Sequence, residues 1–295
     1  MSTIAPMPRI PWEALVKQLT ELPPKIMSRQ PAINFVTALS IVKYYMGENW
    51  VDAHTSPFSN KPGYYRLNVT EGGEEMSAIG GQKVVVLGEH LFNLQHIDGF
   101  DWCIRRLRDG ALEPTVAELQ LAALFYVNDW EFRFVEPVGE KRSDYDYEIT
   151  LADGLVACAD TKCKIASTPI GKNTILNALK KASRQLPDNK PGYVLIKFPA
   201  DWLKISGHVR TMVEATNDFF RSNSRVVSVG FYTDPISFDG TIMAVGHQFM
   251  EVPNKQNKFD TQRDWRLFER WRPRLGSANA MPSKWRTLIN FPNGY

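Results

Sequence analysis

Ser143-Asp144-Tyr145-Asp146-Tyr147-Glu148-Ile149, followed after a turn by Ala157-Cys158-Ala159-Asp160-Thr161-Lys162-Cys163-Lys164, is the stretch that decides how this chain is read. From Asp144 to Leu151 bulky and polar residues alternate strictly. Tyr145, Tyr147, Ile149 and Leu151 take one side; Asp144, Asp146, Glu148 and Thr150 take the other. That period of two predicts a strand with one face in a core. Ala152-Asp153-Gly154 is a hairpin turn in which glycine supplies the positive φ. Leu155–Ile165 returns as a second strand, with Asp160 and Lys162 on a common face. With a three-residue loop, opposed positions sum to 306, so Asp146 faces Asp160 and Asp144 faces Lys162. Such neighbours lie about 5–8 Å apart, a gap that a metal ion can bridge.

Those residue types suit a particular chemistry. Hydrolysis of a phosphodiester needs an activated water and a cation on the phosphate oxygens. Mg²⁺ supplies both when one or two carboxylates hold it and leave positions for water and substrate. Asp144 and Asp160 are the expected ligands, with the Thr161 carbonyl as a further one. Asp146 points the same way as Asp144, which is preferred for its place at the strand start. Lys162 reaches the same side and would orient the attacking water or stabilise developing charge. Glu118, in an upstream helix, would add a third acid.

Outward from the hairpin, Pro114 opens a helix reaching about Asn128, and Trp130–Val138 reads as a strand. Downstream, Asn173–Leu186 and Gly207–Arg221 are amphipathic helices. Tyr193–Phe198, Val226–Tyr232 and Ile242–Glu251 are strands. The order predicts an α/β class with a central mixed sheet flanked by helices. Nearer the N-terminus, Trp12–Leu22 and Pro31–Tyr45 read as helices. Tyr64–Val69 and Lys83–Leu87 read as short strands, with Gly80-Gly81 as a turn. The expected organisation is a mostly helical N-terminal region over 1–110, a core over 111–253 and a C-terminal arm over 254–295.

Composition narrows the class. With 43% apolar and 23% charged residues among 295, the chain has the make-up of a folded soluble protein rather than a disordered one. The net charge of +3 is unevenly placed: Asn254–Tyr295 carries +6 and the rest −3. That arm interleaves Trp265, Trp271 and Trp285 with Arg263, Arg266, Arg270, Arg272, Arg274 and Arg286. It either grips nucleic acid or is anchored to the domain by its tryptophans while the arginines stay in water. Cys103, Cys158 and Cys163 show no zinc-ligand spacing and fit a reducing cytosol. No signal peptide and no membrane span are expected, and a cytoplasmic location follows.

The run of helix with Glu118, strand, Ser143-Asp144-Tyr145-Asp146, hairpin, Asp160-Thr161-Lys162 and a following helix resembles the PD-(D/E)xK nuclease superfamily over about residues 112–200. The resemblance implies a restriction-endonuclease-like core, Mg²⁺ dependence (Mn²⁺ as substitute) and cleavage of nucleic acid, DNA favoured. It implies that Asp144, Asp160 and Glu118 hold metal and that Lys162 is the catalytic lysine. Gln185 resembles a polar helix residue that some branches place near the site. Ser143 stands where the motif's name has proline, and Asp160 where glutamate is commoner. The expected function is a metal-dependent phosphodiesterase, more an endonuclease than an exonuclease. The alternative is a non-catalytic nucleic-acid- or protein-binding module. A homodimer or protein partner would use the N-terminal region.

Overall fold

The computed structural model describes residues 7–55, 69–140, 142–165, 168–238, 243–268 and 285–288. These divide into two compact units. One lies within Met1–Val127, Ile236–Ala244 and Arg274–Tyr295, the other within Asn128–Pro235 and Val245–Pro273.

The first unit is helical: α1 (Trp12–Leu19), α2 (Pro24–Met27), α3 (Gln30–Met46), α4 (Glu48–Thr55), α5 (Val69–Leu94), α6 (Phe100–Arg108) and α7 (Leu112–Val127). Pro31 sits in the first turn of α3, where its missing N–H costs nothing, and Gly47 ends that helix with φ +88°. Helix α7 is buried on nearly every side, from Thr115 to Phe125, as a helix apolar all round must be. It therefore belongs with the helical unit, and the expected boundary at residue 110 falls inside that unit.

The expected strand at Lys83–Leu87 is helix. Both it and Gly80-Gly81 lie within α5. Val84, Leu87, Leu91 and Leu94 are buried at helical spacing, and α5 packs along α3. A run of β-branched residues has only a weak strand preference, which this packing overrides. The other expected strand, Tyr64–Val69, falls mostly outside the described residues; Val69 itself begins α5.

The second unit is built on a mixed sheet. Its strands are β1 (Glu131–Phe134), β2 (Tyr147–Thr150), β3 (Val156–Cys163), β4 (Gly192–Lys197), β5 (Val226–Thr233) and, after a ribbon of β6 (Ile236–Phe238) and β7 (Met243–Val245), β8 (Gln248–Pro253). The sheet order is β1-β2-β3-β4-β5-β8. Pairs β1/β2 and β2/β3 are antiparallel, β3/β4 and β4/β5 parallel, and β5/β8 antiparallel. The α/β class and mixed sheet expected from the sequence are present. Helices α8 (Lys172–Ser183) and α9 (His208–Phe220) supply the two parallel crossovers. Both pack on the face that carries Cys158, Val194 and Ile196. On the opposite side, Tyr147 packs with Phe132 and Phe134.

The hairpin register is the expected one, with Tyr147 opposite Ala159 and Thr150 opposite Val156. Gly154 closes the turn at φ +82°. The alternation does not extend as far back as expected, because β2 begins at Tyr147. Tyr145 joins the core beside Cys158, on the side away from Tyr147. The strand expected over Trp130–Val138 stops at Phe134, ahead of Pro137, and the expected strand Ile242–Glu251 is split between β7 and β8.

Candidate functional site

Strand β3 is a central strand, covered on both faces, and Asp160 sits in its middle with no solvent exposure. Lys162 Nζ forms an ion pair with Asp160 Oδ1. Among the described residues no well-directed hydrogen bond reaches either Asp160 oxygen. Burial, then the neighbouring Asp146 carboxylate, push the Asp160 carboxyl well above its usual range; Lys162 and Lys181 pull it back. Asp160 is thus a buried acid beside a second acid, with one cation in contact.

The second acid is Asp146, immediately before β2. Its backbone N–H donates to the Ala159 carbonyl at 3.0 Å, and its Oδ2 accepts from the Thr161 N–H at 2.6 Å. These two bonds fold the Asp146 side chain over β3 towards Asp160. Asp144 does something else. Its Oδ1 accepts from the N–H groups of Val138 and Gly139, at 3.1 and 3.0 Å, and closes the exposed loop between β1 and β2. With β2 starting at Tyr147, Asp144 does not stand in register with Lys162. Of the two acids left open by alternation, Asp146 is the one whose carboxylate bonds β3, while that of Asp144 is used within the preceding loop.

Lys162 is held from α8's side. Its Nζ donates to Gln185 Oε1 at 2.7 Å and lies 3.3 Å from the Thr161 carbonyl oxygen. Gln185, just beyond α8, donates through Nε2 to the Asp144 carbonyl at 2.8 Å. One amide therefore ties the lysine to the chain leading into Asp146. Sequence spacing alone carried little signal for this, since Gln185 lies 23 residues from Lys162.

Glu118 lies in α7 of the helical unit. It is 4% exposed and ion-paired with Arg106 of α6. Glu148, the third polar residue of the expected charged face, is a structural hub. Burial opposes its ionisation, but Lys190, Tyr145 and Arg133 hydrogen-bond it and bring its carboxyl down to about 2. The described part of the C-terminal arm is anchored by its tryptophans. Trp265 is buried and donates to the Asp260 carbonyl, with Arg263 at 4.6 Å over its ring and paired to Asp153. Trp285, in the helical unit, donates to Glu89. Arg270, Trp271, Arg272 and Arg274 lie outside the described residues.

Among the described residues no group of three or more His, Cys, Asp or Glu side chains is placed to hold a metal ion. A Mg²⁺ site needs fewer, since it is commonly held by one or two carboxylates with water completing the shell. Asp146 and Asp160, with the Thr161 carbonyl at their edge, meet that requirement. The carboxylate oxygens of Asp146 and Asp160 are hard ligands of the type Mg²⁺ takes. No described helix is long and apolar enough to cross a membrane. Comparison with family models, with curated proteins and with solved structures finds no match to the chain.

Proposed function

We propose that the chain is a Mg²⁺-dependent nuclease with a restriction-endonuclease-like core, acting on the phosphodiester bonds of nucleic acid, DNA favoured. The observation that carries this reading is the fully buried Asp160 side chain at the centre of the sheet, set beside a second acid, Asp146, with Lys162 as its ion-pair partner. Placing two acids side by side in the interior is costly, and acid pairs perturbed in this way cluster at functional sites. The mixed sheet and the strand–hairpin–strand–helix order around Asp160-Thr161-Lys162 also support it.

Asp160 and Asp146 would hold the metal, with the Thr161 carbonyl beside them. A bound divalent cation supplies charge neutralisation at the scissile phosphate and lowers the pKa of a coordinated water. Lys162 donates through Nζ to a phosphate oxygen or the attacking water, and its ammonium offsets charge that develops in the transition state. Gln185 positions Lys162, and the apolar packing of α8 fixes Gln185 in turn.

The test is cleavage of supercoiled DNA, linear DNA and RNA with Mg²⁺, with Mn²⁺ and with EDTA. Metal-dependent cleavage is expected. Asp146→Asn, Asp160→Asn and Lys162→Ala should each lose about a hundredfold or more, and Asp144→Asn distinctly less. Undiminished cleavage in the Asp160 and Lys162 variants would refute the proposal.

A further inference from the structure

Cationic residues follow the acid pair at the end of β3 and just beyond it. Lys164 follows Lys162 by two positions, so the two side chains share a face and leave the backbone about 6.6 Å apart. The Lys164 N–H still pairs with the Lys197 carbonyl, which keeps the chain extended there. On α8, Lys181 lies one helical turn before Gln185, the residue that holds Lys162. Lys181 acts electrostatically on both Asp160 and Lys164. Lys164 beside Lys162, and Lys181 one turn before the glutamine that holds Lys162, thus add two cationic residues on the Lys162 side of the acid pair.

The other lysines of this unit with carboxylate partners are neutralised: Lys172 by Asp218, Lys190 by Glu148 and Lys204 by Asp201. Among the described residues Lys164 and Lys181 have no such partner. Partial burial lowers the Lys164 pKa, and Lys181 and Lys162 lower it further. Neighbouring cations repel one another, and an anion bound between them relieves the repulsion.

Resting on the nuclease reading, we infer that Lys164 and Lys181 form a backbone-phosphate subsite beside the Asp146–Asp160 pair, so that the substrate is a polynucleotide strand gripped at a phosphate neighbouring the scissile one. A small phosphodiester fills only the acid pair and Lys162, and a strand reaches all three lysines. The contacts are to phosphate, so they position the strand without reading its sequence.

The experiment measures binding of the full chain to fluorescein-labelled DNA and RNA oligonucleotides in EDTA, where no cleavage is required. The Lys164→Gln/Lys181→Gln variant should bind about tenfold more weakly. Its log–log salt slope should fall by about 2, the loss of two phosphate contacts. Lys164→Arg/Lys181→Arg should restore both. Equal affinity and slope in the glutamine variant and the parent, or no oligonucleotide binding by the parent, overturns the subsite. Lysine-dependent binding without any metal-dependent cleavage supports the subsite and sinks the hydrolytic reading alone. The DNA and RNA arms show which strand the subsite prefers.

Discussion

Asp160 is placed where an aspartate is expensive. Its carboxyl is raised above the ordinary range by burial and by Asp146, and Lys162 offsets this only in part. The sign of the stability effect follows. A raised carboxyl contributes fully at pH values below the unfolded pKa, and its contribution is lost as pH rises through the folded one. Ionisation of Asp160 therefore weakens the metal-free chain as pH rises. Asp160→Asn should raise the melting temperature of the metal-free chain and lessen its decline with pH, while abolishing any stabilisation by added Mg²⁺. A lower melting temperature in metal-free Asp160→Asn would show that the ion pair with Lys162 outweighs the burial. The same residue-scale view separates Asp146 from Asp144. Both are polar members of one alternating run, and only the point at which β2 stops assigns them different work.

At the scale of elements, α3 and α5 pack closely where Gly88 meets Ala38. A Cβ on Gly88 would come within 2.7 Å of the Ala38 Cα and 2.9 Å of its carbonyl oxygen. Backbone cannot yield as a flexible side chain can. Gly88→Ala should gain helix propensity yet destabilise the chain by about 1–3 kcal/mol through overpacking. Denaturant unfolding of this variant checks it: stability equal to or above the parent's would mean the helices separate freely. The glycine explains why Lys83–Leu87 misleads when read locally. A Val-Val-Val-Leu run preceded by Gly80-Gly81 imitates a strand and its turn, yet here it belongs to a helix against which another helix lies. The turn and register of the hairpin, by contrast, were legible, because both are set within about 20 residues of chain, although β2 begins at Tyr147 rather than at Asp144.

Over the whole molecule, three buried acids share one bias. Glu89 in the helical unit is raised by burial, as is Asp160, and Glu251 is raised by burial to about 7 despite bonds from Ser228, Leu267 and Phe268. Each contributes most below the unfolded carboxylate range and loses that contribution as pH rises. Glu148, held down to about 2, works the other way: its contribution is present above about 4.5 and lost as pH falls towards 2. Stability should therefore peak near pH 5 and decline towards pH 8. Glu251→Gln should flatten the decline, removing on the order of 3 kcal/mol of pH dependence. Thermal melts across that range decide it, and an identical slope in the variant would count against the buried Glu251 ionising in place.

The sequence by itself determined the α/β class, the hairpin and its register, the amphipathic helices α8 and α9, and the appearance of Asp160 and Lys162 on one face of a strand. All of these rest on periodicity and turn chemistry, which act over a few residues. Only the tertiary structure decided that α7 packs with the helical unit, that Glu118 meets Arg106, that Gln185 holds Lys162, and that the Asp146 carboxylate bonds β3 while that of Asp144 bonds its own loop. Those outcomes depend on contacts between segments far apart in the chain. Their energy comes from burial and charge pairing that no local pattern records.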